Sequence, residues 1–227
     1  MSNNVVSLKN IVYKVKEGEK ERRILDDISY DFEASCISVI SGPSGSGKTT
    51  LLHSMAGLLS DVEGEIIING INYNKIKTQK EKDSFRLDNI SMIFQNLNLF
   101  SFMDVEENIL VPLYAKKTKI DRSITEKVNY YLDLMNLGQI GKNSIKTLSG
   151  GEQQRIAIIR ALISEPKVIL CDEPTASLDG ENVDIFMNIL DKIKKESDAV
   201  LIVVTHDQRV LKYGEKKIYM NDGKFYI

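Results

Sequence analysis

Gly42-Pro43-Ser44-Gly45-Ser46-Gly47-Lys48-Thr49 follows the spacing G-x-x-x-x-G-K-[S/T]. It lies between a strand-like run, Cys36-Ile37-Ser38-Val39-Ile40, and a helix-like one from Thr50 to Gly57. Strand, glycine loop and helix in that order form the context a phosphate loop needs. The glycines let the backbone curl until successive N–H groups point into one hollow, and the helix that starts beside Lys48 adds the positive end of its dipole. A polyphosphate fits such a hollow. Lys48 is expected to reach the β- and γ-phosphates, and the Thr49 hydroxyl to ligate a Mg²⁺ that bridges the same oxygens.

Working outward, the 227 residues suffice for one large domain or two small ones, and 42% hydrophobic residues suffice for a core. The longest apolar stretch near the C-terminus, Ala199 to Val204, is too short to cross a bilayer. Met1-Ser2-Asn3-Asn4 carries neither a basic start nor an apolar signal core, so a cytosolic location is expected. Cys36 and Cys171 fall in strand-like runs and read as core residues in a reducing compartment. A net charge of −2 from 30 basic and 32 acidic residues argues against a duplex nucleic acid as partner, and Lys75 to Lys82 and Lys116 to Lys119 read as solvated faces.

Alternation predicts a hairpin of Val5 to Val15 with Ile24 to Phe32 across the charged stretch Lys16 to Arg23. Gly64 to Gly70 brackets a further strand, Asn72 to Asn89 is polar with little periodicity, and Ile90 to Phe94 is a strand ending at Gln95. From there to about Ser164 the pattern is helical, clearest over Ser123 to Met135 and Glu152 to Ile163. Strands return at Val168 to Cys171 and Ala199 to Val204 around a helix from Val183 to Lys195. Lys216 to Met220 and Lys224 to Ile227 close the chain as a hairpin about Asn221-Asp222-Gly223. The fold class is α/β: a phosphate-loop core with a mostly parallel sheet, an antiparallel β part and an inserted helical subdomain.

Val168-Ile169-Leu170-Cys171-Asp172-Glu173 is an apolar strand ending in two carboxylates, and strand ends are where ligands sit in open α/β sheets. Asp172 is expected to orient Mg²⁺ directly or through a water, and Glu173 to act on the water that attacks the γ-phosphate, as general base or as its positioner. Leu148-Ser149-Gly150-Gly151-Glu152-Gln153-Gln154-Arg155 opens a helix with a hydroxyl and two glycines, a second anion cradle in one chain.

With these motifs in this order, the whole chain resembles the nucleotide-binding subunit of ABC transporters. The resemblance implies a single nucleotide-binding domain over 1–227 with a helical subdomain over 96–164, ATP as nucleotide bound by Gly42 to Thr50, and a head-to-tail dimer formed on ATP. Ser149, Gly150 and Gly151 then cap the γ-phosphate held by the other subunit. Gln95 matches the glutamine that touches Mg²⁺ and the attacking water. Ala176-Ser177-Leu178-Asp179 matches the loop that crosses the dimer interface, His206 the histidine on the γ-phosphate, and Tyr13 the aromatic residue that stacks on adenine. Lys48, Gln95, Glu173 and His206 are thus the expected catalytic set, and Thr49, Gln95 and Asp172 the expected metal set.

Phe94 to Phe100 and Glu107 to Leu113 look most like the subgroup of lipoprotein-release, macrolide-exporter and cell-division ATPases. Ile159, where that group commonly has alanine, and Glu152, where many relatives have glutamine, depart from it. The resemblance implies a cytoplasmic protein, peripheral on the inner face of the membrane, that powers a separate integral-membrane permease. An exporter or membrane-extraction system is the first reading, and an ATPase driving a membrane signalling partner the alternative.

Overall fold

In the computed structural model, residues 4–18, 20–176, 178 and 180–226 are described. Two β-strands, β1 (Asn4–Glu17) and β2 (Lys20–Glu33), pair antiparallel, and β1 pairs on its other side with β4 (Glu63–Ile68), which carries the short β5 (Ile71–Asn72). This four-stranded sheet has the order β2-β1-β4-β5. The hairpin is longer than alternation predicts, because Lys16 and Glu17 stand opposite Glu21 and Lys20. Lys16 and Glu21 put opposite charges across the ladder, so the charged stretch joins the strands instead of looping out.

The second sheet has the order β10-β9-β3-β8-β7-β6. Its strands are β3 (Ile37–Ser41), β6 (Ile90–Ile93), β7 (Val168–Asp172), β8 (Val200–Thr205), β9 (Lys216–Asn221) and β10 (Lys224–Tyr226). All pairings are parallel except that of β9 with β10. β7 and β8 are buried throughout, as strands covered on both faces must be. Their side chains alternate between two cores: Ile169, Cys171, Leu201 and Val203 face one, Leu170, Val200, Ile202 and Val204 the other.

The second of these cores holds helix α1 (Lys48–Met55) and the four-stranded sheet. The first holds α3 (Val105–Ala115), α4 (Arg122–Leu134), α5 (Gly150–Leu162) and α6 (Gly180–Glu196). Three of these helices, α3 to α5, lie in the single crossover between the parallel neighbours β6 and β7. One further helix, α2 (Gln79–Asn89), occupies the stretch that shows little periodicity in sequence. Phe85 is its one buried residue, so no apolar stripe marks it; Thr78 and Glu81 form a capping box that starts it.

Parallel register brings the carboxyl ends of four strands level. Ser41 pairs with Thr205, Val204 with Asp172, and Cys171 with Ile93. The phosphate loop, Glu173 and His206 follow directly from these ends and Gln95 one residue later, at the edge where open α/β sheets hold ligands.

Candidate active site

The phosphate loop rests on the C-terminal hairpin and on β2. A Cβ on Gly42 would stand 1.9 Å from the Met220 carbonyl oxygen, and one on Gly47 2.8 Å from the Ile24 carbonyl oxygen. Gly223 N donates to Ser46 O at 3.0 Å, fixing the loop from below. Pro43, Ser44 and Gly45 stay exposed on its outer side, and Ser46 is buried. Lys48, buried, bends back so that Nζ donates to the Gly42 and Pro43 carbonyls, both at 2.9 Å. Burial pushes its pKa down, with Glu173 and Asp172 pulling it back up. The ammonium is therefore held under the loop's hollow, ready to trade carbonyls for phosphate oxygens.

Thr49 Oγ1 donates to Asp172 Oδ1 at 2.9 Å, joining the start of α1 to the end of β7. Thr50 is half-buried beside it on α1. Among the described residues no group of three or more His, Cys, Asp or Glu side chains could hold a metal. One hydroxyl and one carboxylate suit Mg²⁺, which keeps most of its ligands as waters and phosphate oxygens. Desolvation raises the Asp172 pKa, and the Thr49 hydroxyl and His53 only partly lower it. The folded state therefore holds this proton more tightly than the unfolded chain, and the ionised carboxylate costs stability at pH values above its raised pKa. Asp172→Asn is expected to raise the melting temperature of the nucleotide-free chain by a few degrees at neutral pH. It should also abolish the tightening of nucleotide binding by Mg²⁺, and thermal melts with binding titrations read both.

Glu173 takes the left-handed conformation, φ 46°, immediately after β7, and its N–H donates to Val204 O at 2.9 Å. Its carboxylate is held on both oxygens. His206 Nδ1 lies 2.9 Å from Oε1, while Thr205 Oγ1 and His206 N donate to Oε2 at 3.1 and 3.2 Å. With Nδ1 directed at Glu173, Nε2 of the exposed ring is left to meet a ligand. Thr205 is a site residue that the sequence reading did not single out; a threonine ahead of a strand-end histidine carries no chemical signature of its own.

Ser149 caps α5. Its N–H and Oγ donate to Glu152 Oε2 at 2.7 and 2.6 Å, and Glu152 N donates back to Ser149 Oγ at 3.4 Å. The Glu152 carboxylate thus already sits on the donors of the second cradle. Ile159 is buried in the same helix without disturbing it. Ser149, Gly150 and Gly151 line a cleft of about 550 Å³ with Gln95, Asn96, Pro174 and Asn182. Gln154 Nε2 donates to Pro174 O at 2.6 Å, tying α5 to the residue after Glu173.

The structure therefore brings Lys48, Thr49, Asp172, Glu173 and His206 to one sheet edge, and sets Gln95 with the serine-glycine turn in a cleft that no phosphate-loop residue lines. Tyr13 is half-buried on β1 opposite Leu25, whose Cδ2 abuts Gly47, so it stands one strand away from the loop. Asp179 and Ser177 lie outside the described residues. Cys36 and Cys171 are both buried and unbridged, and burial pushes both thiols up.

Residues 25–176 match the family described as ABC transporter. The chain is 36% identical over 208 residues to the ABC transporter ATP-binding protein YtrE of Bacillus subtilis, covering 92% of this chain and 89% of that one. It is 34% identical over 224 residues to the uncharacterised ABC transporter ATP-binding protein MJ0796 of Methanocaldococcus jannaschii, covering 97% and 94%. The post-hydrolysis dimer of the MJ0796 cassette, bound to ADP and Pi, superposes with a TM-score of 0.87 at 33% identity over 98% of this chain and 97% of that one. The cassette cbiO1 of Clostridium perfringens superposes with a TM-score of 0.87 at 26% identity over 100% and 88%. The phosphate loop, the paired carboxylates at the sheet edge and these likenesses agree: this chain belongs to the ATP-binding proteins of ABC transporters, ATPases that use ATP with Mg²⁺.

Proposed function

We propose that the chain pairs head to tail with a second copy on binding ATP, and by closing and reopening drives an integral-membrane permease from the inner face of the membrane. Gly42 to Thr50 hold the triphosphate of one copy, Tyr13 stacks on its adenine, and Ser149, Gly150, Gly151 and Asp179 of the other copy close over it. Thr49, Asp172 and Gln95 hold the Mg²⁺, and Glu173 activates or positions the attacking water. His206 Nε2 and Lys48 meet the γ-phosphate. The observation that carries this reading is that the serine-glycine turn lines a cleft to which no phosphate-loop residue of the same chain contributes. Each chain offers two half-sites and no complete one.

Loss of the γ-phosphate on hydrolysis removes the charge-assisted contacts that bridge the halves, and the pair separates. Residues 96–164 form the helical subdomain that passes this motion on. Beside it lie two apolar hollows of about 340 and 330 Å³ that share Leu87, Ile90, Met92 and Phe94, with Phe100 and Phe102 exposed nearby. Exposed apolar surface of this kind suits a permease segment. Among the cassettes of similar structure, cbiO1 is part of the ABC transporter complex cbiONQ, which supports a membrane partner. The likeness of Phe94 to Phe100 and Glu107 to Leu113 to the lipoprotein-release and macrolide-exporter subgroup favours export or extraction from the membrane.

Mixing two inactive variants tests the shared site. Lys48→Met disables the phosphate loop and Ser149→Arg blocks the turn, so each alone is expected to be inactive. An equal mixture forms hybrid pairs with one intact site and recovers about a quarter of wild-type turnover. No recovery means that Lys48 and Ser149 do not serve one nucleotide from two chains.

A further inference from the structure

The loop around Gln95 is conformationally costly. Leu97 N donates to Phe94 O at 2.9 Å, closing a turn over Gln95 and Asn96, and the next two residues, Leu97 and Asn98, sit at φ 54° and 49°. Left-handed backbone is disfavoured for residues with a Cβ, and most of all for bulky ones, so two in succession persist only when neighbours hold them there.

Arg160 supplies the hold. Three turns along α5 from Ser149, its Nη1 donates to Asn98 O at 2.7 Å and its Nη2 to Leu97 O at 2.5 Å. One planar fork thus takes the carbonyls of both left-handed residues, a geometry that a lysine cannot reproduce. Desolvation pushes the guanidinium's pKa down, and no carboxylate pairs with it among the described residues. A cation kept where burial disfavours it, without an acid to offset the cost, is placed to serve the loop.

We infer that Arg160 is a positioning residue for ATP turnover, locking the loop that carries Gln95 to the helix that begins at Ser149 so that the two move as one body. Arg160 and Asn98 line the apolar hollow with Phe94 and Phe100, whereas Gln95, Asn96 and Leu97 line the cleft with the serine-glycine turn. The clamp stands between the two. Pressure on the hollow shifts Leu97 and Asn98, and through them Gln95 and Ser149 together. The inference rests on the role proposed for Gln95.

Steady-state ATP turnover of the full chain carrying Arg160→Lys, Arg160→Ala or Gln95→Ala tests it. Both Arg160 variants are expected to lose about 10- to 100-fold in kcat, as misplaced catalytic groups do, with KM for ATP unchanged because the phosphate loop is untouched. Millimolar guanidinium should restore part of the turnover of Arg160→Ala and none of that of Gln95→Ala. A merely structural arginine would lower melting temperature and ATP binding together, with no response to the small ion. Wild-type kcat in Arg160→Lys overturns the clamp even where Gln95→Ala is slow; wild-type kcat in Gln95→Ala overturns the role of Gln95 instead. Should Arg160→Ala fail to fold, the kcat-against-KM split of Arg160→Lys decides alone.

Discussion

Glu173→Gln is expected to lower ATP turnover by about 10²- to 10⁴-fold, the range that a general base supplies, while ATP binding persists. The amide fits the pocket of the carboxylate. Its oxygen can accept from Thr205 Oγ1 and His206 N, as Oε2 does now at 3.1 and 3.2 Å, and its NH₂ can face His206 Nδ1 in the other tautomer. The left-handed turn at Glu173 is set by the backbone bond to Val204 O and is indifferent to the change. What disappears is the negative charge that draws a proton from water. Phosphate release should therefore slow by the same factor, and gel filtration with ATP and Mg²⁺ should show a lasting dimer, because the γ-phosphate that joins the halves is cleaved only slowly. Turnover close to that of the wild type would remove Glu173 from the chemistry.

The contrast between Glu173 and Thr205 shows which parts of the site are legible in a sequence. An apolar strand that ends in Asp-Glu is readable, because a run buried on both faces must stop where the chain meets solvent or ligand, and β7 stops there. The same logic makes the phosphate loop readable, since it too follows an apolar strand buried on both faces. Thr205, Gln154 and Met220 act through atoms that every protein has in abundance, a hydroxyl, an amide and a backbone carbonyl, and only the folded register places them. Helix α2 was hidden for a related reason. It buries little but Phe85 and is held by its capping box and by Arg86 Nη1 donating to Gly57 O at 2.8 Å, contacts that leave no hydrophobic period. Gln95 is intermediate: the strand before it is visible in the pattern, but its two left-handed successors are Leu97 and Asn98, of which only asparagine is at home in that conformation.

The hairpin beneath the phosphate loop leads to the second large effect. Gly42→Ala is expected to unseat the loop, whereas Gly45→Ala leaves it standing, although both residues have positive φ, 154° and 80°. At Gly45 nothing lies within 4 Å of the added methyl, so the cost is left-handed strain alone, about 1–2 kcal/mol. At Gly42 the methyl would stand 1.9 Å from the Met220 carbonyl oxygen and 3.0 Å from its carbon, and neither can rotate aside because both belong to β9. Relief requires the loop to lift from the hairpin, which breaks the 3.0 Å bond from Gly223 N to Ser46 O and swings Lys48 away from the Gly42 and Pro43 carbonyls. Overpacking against backbone together with the lost bond should lower the melting temperature by about 10 °C, against a few degrees for Gly45→Ala. Titration with a fluorescent ATP analogue should show affinity falling at least about 100-fold for Gly42→Ala, since the N–H groups no longer converge on one hollow. Equal behaviour of the two variants would mean that the C-terminal hairpin does not shape the loop, and that its curl is set by the glycines alone.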